Sequence, residues 1–157
     1  MAMTTRALSA GIDAIIGVWR TEGEVLDEAG VEVVATYSGT DSYERFGPFV
    51  LHRVDVVLGG EHVEVLEMIG PWDAGRQAFP TTVFDASGGT IERSTADVDD
   101  AGTWTFRSGH GTSRGQATIQ ADDDGQHLRS SWQRTEDDGA TWRPWMRAVH
   151  TRMSTES

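Results

Sequence analysis

A chain of 157 residues is long enough for one domain with a sizeable core and too short for several. Its formal net charge of −12 argues against sequence-independent nucleic-acid binding, which needs a basic face, and against adhesion to anionic lipid. With no cysteine there is neither a disulfide framework nor a thiolate metal centre.

The first element is the weakly apolar stretch "ALSAGIDAIIGVW". It contains Asp13 and lacks a clear cleavage region, so it reads as a short helix rather than a signal peptide. No apolar run approaches the ~20 residues of a membrane span. A cytoplasmic protein with no membrane and no nucleic-acid partner is expected; homodimerisation is left open.

After the helix, turn signals recur roughly every 8–15 residues with β-favouring residues between them. The expected strands are 17–26, 32–45, 49–58, 61–69, 77–85, 90–97, 103–108, 113–120, 126–134 and 140–152. Acidic residues gather in the connections, at Asp27-Glu28, Asp99-Asp100, Asp122 to Asp124 and Glu136 to Asp138, which reads as a solvated rim rather than a cation site. Nearly every connection is short enough to join antiparallel neighbours. Such a run exposes two edges unless its first and last strands pair, and closure removes both. The expected fold is therefore all-β, a single antiparallel up-and-down barrel of about ten strands after a short N-terminal helix. The barrel domain is placed at residues 7–152, with flexible termini at 1–6 and 153–157.

Period-2 alternation assigns the faces. In the third strand Val50, His52, Val54, Val56 and Leu58 share one face, opposite Arg53 and Asp55. In the ninth, Leu128, Ser130 and Trp132 oppose Arg129 and Gln133. In the last, Trp142, Pro144, Met146, Ala148 and His150 oppose Arg143 and Arg147, and Trp104 and Phe106 mark the core face of the seventh. The fourth, "HVEVLEMI", is apolar on both faces, so parity does not orient it. Small and polar residues on several inward faces would leave room for a ligand cavity.

One turn has a recognisable pattern. "TEDDGATW", residues 135 to 142, fits S/T-x-D-x-G-x-T-W, the Asp-box hairpin best known from sialidase propellers. A propeller repeats at roughly 40–50 residues. Here "DDAGTW" and "DDDGQHL" match only in part, so the motif is a hairpin staple in one sheet. Asp138-Gly139 supplies the positive-φ step, and Asp137 is expected to fold back onto backbone N–H groups.

At "GVWRTEG" the chain resembles the G-x-W-x-G-x-G start of nitrobindin-like, lipocalin-related barrels, with Thr21 in place of the first following glycine. "VLEMIGPWD", "SWQRTEDDGATWRPWM" and the terminal "HTR" resemble a lipocalin-like (calycin) family of unknown function. The resemblance runs from about residue 12 to residue 152. It implies that Trp19 plugs one end of the barrel with Arg152 across its ring, a structural pairing. It also implies, through the nitrobindins, a haem-ligating histidine at His150, and any such haem would be non-covalent.

Catalytic signatures are missing: there is no H-E-x-x-H and no P-loop, and "GTSRG" at residues 111 to 115 has the G-x-S-x-G spacing without the strand-to-helix turn of a nucleophile elbow. "GHGTSRG" joins two strands and opens no helix. His62, His110 and His127 are expected in solvent. Glu64 and Glu67 lie in an apolar strand. An inward Glu67 would be desolvated, its pKa raised, and it would be fit for general acid–base work; the alternative is an outward, wet carboxylate. Trp142 is assigned to the core, while Trp132 and Trp145 suit either core or ligand wall. The leading expectation is a barrel binding a small, mostly apolar molecule without a cofactor or metal. Its ligand residues would be His52, Val54, Glu67, Phe106, Trp132, Met146 and His150. The alternative is a cofactor-independent cyclase or isomerase acting on a hydrophobic substrate, with Glu67 and His150 as catalytic candidates. A haem barrel and a protein-interaction scaffold with a filled interior stand behind these.

Overall fold

The structure is a computed structural model that describes residues 3–110 and 112–153, with the His110 side chain outside that set. The expected solvation of His110, the Gly111 turn and the ends of both termini thus lie outside the described residues. Helix α1 (Thr5–Ile15) is followed by β1 (Gly17–Leu26), β2 (Val33–Phe46), β3 (Phe49–Leu58), β4 (Glu61–Ile69) and β5 (Phe79–Asp85). Then come β6 (Thr90–Val98), β7 (Trp104–His110), β8 (Ser113–Ala121), β9 (His127–Thr135) and β10 (Arg143–Arg152). Every strand pairs antiparallel with its chain neighbours, and β1 also pairs with β10, so the ten strands close into one barrel. Trp19 stands opposite Asp41 on one side and Arg152 on the other, which is the seam where the edges disappear.

The helix starts where Thr4 accepts a hydrogen bond from the Ala7 N–H. It closes one end of the barrel. Ile15 is buried, Leu8 and Ile12 pack on the core, and Gly11 lies so close to Val98 that a Cβ would stand 2.8 Å from Cγ2. The Gly11 carbonyl accepts a 3.0 Å bond from the Trp104 indole, and the Ile15 carbonyl accepts one of 2.9 Å from the Trp19 indole. Arg152 lies over Trp19 with its guanidinium carbon 4.2 Å from the ring centroid, a cation–π contact. The same side chain donates to the Ile16 and Gly125 carbonyls. Above this plug sits the apolar floor, built from Tyr43, Val50, Ile69, Phe79, Trp104 and Leu128 among others.

Two local features depart from simple alternation. The β10 strand begins at Arg143 and its register shifts between Pro144 and Met146. Pro144 pairs with Gln133 while Met146 pairs with Trp132, so the bulge puts Pro144 outside and Met146 inside. The expected shared face of Trp142, Pro144 and Met146 is therefore corrected. Trp142 precedes the strand, half-buried against Arg114, and is not a core residue. The preceding hairpin is tied as its sequence suggests. Asp137 accepts from the Thr141 N–H at 2.9 Å and from its hydroxyl at 2.6 Å, and Asp138 and Gly139 both adopt positive φ. The Thr141 hydroxyl and N–H, with the Thr135 hydroxyl, hold the Asp137 carboxyl down to about 2.

Gly39, in the middle of β2, has φ +156°, and a Cβ there would stand 2.1 Å from the Asp55 carbonyl oxygen. That neighbour is backbone and cannot swing aside. Gly39→Ala is expected to cost about 3 kcal/mol, read as a lowered urea midpoint at unchanged m-value.

Candidate functional site in the barrel interior

Strand periodicity builds the site directly on the floor. Moving two residues along each strand from a floor residue keeps the inward face. Trp19 leads to Thr21, Tyr43 to Asp41, Val50 to His52, Ile69 to Glu67, Phe79 to Thr81, Ala96 to Ser94, and Leu128 to Ser130. With His150 on β10, these form a polar belt around the interior, broken on β7 and β8 by Phe106 and Ala117. Thr21, Asp41, Thr81, Ser130 and His150 are all buried.

Most of the belt is one hydrogen-bonded chain. The His52 ring lies between two carboxylates, with Nδ1 3.0 Å from Glu67 Oε1 and Nε2 2.7 Å from Asp41 Oδ1. The Thr21 hydroxyl donates to Asp41 Oδ2 and lies 2.8 Å from His150 Nδ1. The other His150 nitrogen, Nε2, is 2.9 Å from the Ser130 hydroxyl. Tyr43 stacks on His52 with ring centroids 4.0 Å apart and planes 8° from parallel. Two belt hydroxyls stand apart. Thr81 and Ser94 pair across β5 and β6, and both side-chain oxygens are buried with no hydrogen-bond partner among the described residues.

Burial and bonding oppose each other in this chain. Burial works to lower the His52 pKa, but hydrogen bonds to Asp41 and Glu67 and their negative charges prevail, and it is pushed up to about 9. Burial likewise works to raise Asp41. The His150 ring nitrogen 3.6 Å away and the His52 hydrogen bond, with the His52 charge, overcome it and hold the carboxyl well below the usual carboxylate range. Burial, then the Asp41 charge, pushes Tyr37 up to about 12. His52 is thus an imidazolium at neutral pH, bracketed by carboxylates.

Of the residues singled out in the sequence, His52, Glu67 and His150 meet in this belt, the first and second in direct contact. Glu67 is inward, its side chain 12% exposed, and the wet alternative is set aside; Glu64 is exposed, opposite Asp55. Val54, Phe106, Trp132 and Met146 are half-buried on the inner wall, and none bonds to the polar chain. Trp145 meets Trp132 edge-on at 6.3 Å and carries Arg134 over its face. His62 and His127 are bound to Asp55 and Asp124 on the outside. Asp41, Thr21, Thr81 and Ser94 escaped sequence reading. Parity alone would have placed Asp41 inward beside Tyr43, and an inward acid next to His52 was the available signal. Two grooves, of about 400 and 640 Å³, are lined largely by outward residues, the first by Arg53, Asp55, Leu66, Phe84 and Ile91 and the second by Glu22, Glu24, Arg129 and Arg147.

Haem does not fit this histidine. Both ring nitrogens of His150 already have hydroxyl partners, and the residue is only 7% exposed, so no nitrogen faces an axial site. On the surface, Asp122, Asp124 and His127 bring ligand-type atoms within 4.8 Å of one another. There Asp122 binds Arg129 and Asp124 caps the Gln126 N–H, so the group ties its own turn. No helix among the described residues is long and apolar enough to cross a membrane.

No family model matches the chain, and no curated protein matches it. Solved structures share its fold. An S-type phycobiliprotein lyase, CPES, from Guillardia theta superposes with a TM-score of 0.66 at 6% identity, covering 99% of this chain and 95% of the other. The Rv2717c protein of M. tuberculosis superposes with a TM-score of 0.62 at 14% identity, covering 97% and 100%. At such identities the likeness is one of architecture, and it relates this chain to other barrel proteins.

Proposed function

We propose that this protein is a lipocalin-like barrel that binds a small, largely apolar molecule inside the barrel, polar end against the belt. The observation that carries this reading is the contrast between the two ends of the interior. The helix end is sealed by Trp19, Trp104 and Ile15, whereas Val54, Phe106, Trp132 and Met146 on the inner faces of their strands are only half-buried. Ligand sites are concave and mostly apolar, with a few convergent polar groups, and this interior offers that combination. Glu67, about one-eighth exposed, is the charged group within a ligand's reach, and His52, Asp41, Thr21 and His150 stand behind it in one hydrogen-bonded chain. Native mass spectrometry of gently purified protein should show a bound small molecule, and apolar fluorescent probes should bind with one-to-one stoichiometry. Bare protein together with a silent probe panel would remove the reading.

A second reading rests on the His52–Glu67 contact. A carboxylate held on one oxygen by the His52 imidazolium, beside an apolar wall, is a positioned general base that can take a proton from a bound substrate and return it, which a cyclisation or isomerisation without cofactor requires. Glu67 is then the catalytic candidate, because His52 and His150 each have both nitrogens engaged. Turnover would appear as recovery of the bound compound with unchanged mass and altered connectivity, abolished in Glu67→Gln.

The haem alternative has its own expected result. Purified protein is colourless, added hemin gives no stoichiometric Soret band, and His150→Ala leaves the titration unchanged. A sharp band lost on that substitution would restore haem as the ligand.

A further inference from the structure

Resting on the ligand-binding reading above, we infer that the barrel selects ligands whose buried end donates hydrogen bonds, namely apolar alcohols and amines, and discriminates against carboxylates. Two inward hydroxyls, those of Thr81 and Ser94, have no partner among the described residues. Thr81 is 2% exposed, and the Ser94 oxygen is buried beside it at the paired position of the next strand. Unpaired polar groups in such a place are costly, and a ligand group that satisfies them gains the whole difference.

Glu67 adds the second component. It pairs with Val83 while Ile69 pairs with Thr81, so Glu67 and Thr81 are diagonal neighbours on the inner face, roughly 7–8 Å apart by Cα. A single small polar group fits between positions at that spacing. His52 occupies Glu67 Oε1, leaving Oε2 with no protein partner among the described residues. The site therefore presents one anionic acceptor and two hydroxyls, each of which accepts as readily as it donates.

Charge settles which head group fits. Two carboxylates, Asp41 and Glu67, share the single imidazolium between them, so this trio carries a net negative charge. The only cation in it has both nitrogens turned to those carboxylates and none toward a ligand. An incoming carboxylate would meet Glu67 with no free donor but the two hydroxyls. An alcohol donates to Glu67 Oε2 and accepts from Thr81 or Ser94, whereas an ammonium group donates to Glu67 Oε2 and to the hydroxyl oxygens and adds charge attraction.

The test uses three probes with one alkyl body: 1-decanol, decylamine and decanoate, titrated at micromolar concentration and pH 7 against the full chain by displacement of an apolar fluorophore. The alcohol and the amine are expected to bind at least about tenfold more tightly than decanoate. Glu67→Gln should narrow the gap between amine and decanoate to within about threefold. The pair Thr81→Val and Ser94→Ala, which keeps the interior volume, should weaken decanol about fivefold or more. Decanoate binding as tightly as decanol to the unaltered protein would overturn the inference while leaving the binding reading intact. Fluorophore uptake by the unaltered protein with no displacement by any of the three would overturn the inference alone. Failure of the fluorophore and all three probes to bind would remove both.

Discussion

Trp19→Ala is expected to destabilise the protein by about 5 kcal/mol, the upper end for truncating a buried aromatic. The side chain has no exposed surface and sits where helix, floor and barrel seam meet. Its loss removes the ring beneath the Arg152 guanidinium and the indole donor that satisfies the Ile15 carbonyl. Arg152 would keep its bonds to Ile16 and Gly125 but cover a cavity. Against a typical total of about 5–15 kcal/mol, such a loss leaves a marginal fold. Urea unfolding followed by far-UV circular dichroism measures it directly. Trp19→Phe keeps most of the buried ring and should lose less than half as much.

Asp41→Ala is the second large effect, about 3–5 kcal/mol, because it strips a buried pair of one partner. It leaves His52 with Glu67 alone and takes an acceptor from Thr21. Asp41→Asn preserves shape and should cost less, which makes it the better variant for pH work. The His52 pKa rises from 6.5 in the unfolded chain to about 9 in the fold. Its contribution is therefore fully present below pH 6.5 and is lost as pH rises through about 9. That shift corresponds to on the order of 3 kcal/mol. Asp41 runs the other way: its pKa falls from 3.8, so its contribution is present above that value and is lost as pH falls through the depressed one. The two contributions describe one interaction seen from both partners and are not summed. Unfolding free energy should thus hold between about pH 4 and 6.5 and decline toward pH 9.5, and in Asp41→Asn that alkaline decline should shrink by half or more.

Local pattern carried most of the fold because nearly every strand is bounded by glycine or acidic turns and has one buried face. Closure, too, was legible, since ten sequential hairpins leave two edges that each need a partner. Alternation failed where the backbone does: the β10 bulge between Pro144 and Met146 reverses the face, and nothing in "TWRPWM" marks which residue is extra. Strand β5 starts at Phe79, two residues later than expected, after Gln77 takes a positive φ of 53°.

The site was half legible. His52 and His150 follow from parity, but they are 98 positions apart in the chain, and only closure at the β1–β10 seam lets Thr21 and Asp41 join them. Glu67 lay in a strand apolar on both faces, and its direction is set by pairing with His52 across β3 and β4. The unpaired Thr81 and Ser94 hydroxyls leave no trace in sequence, because a strand threonine or serine looks the same with or without a partner.

The central claim is that the inner wall above the polar belt receives a ligand. The most direct measurement is a methyl-resolved NMR titration of isotopically labelled protein with the tightest of the three alkyl probes. Saturable one-to-one shifts are expected at the methyl groups of Val83 and Met146 on the inner wall, with Val31 and Val34 on the exposed surface unchanged. Shifts confined to Leu66 and Ile91 in the outer groove, or no saturable shift at any methyl group, would contradict that claim.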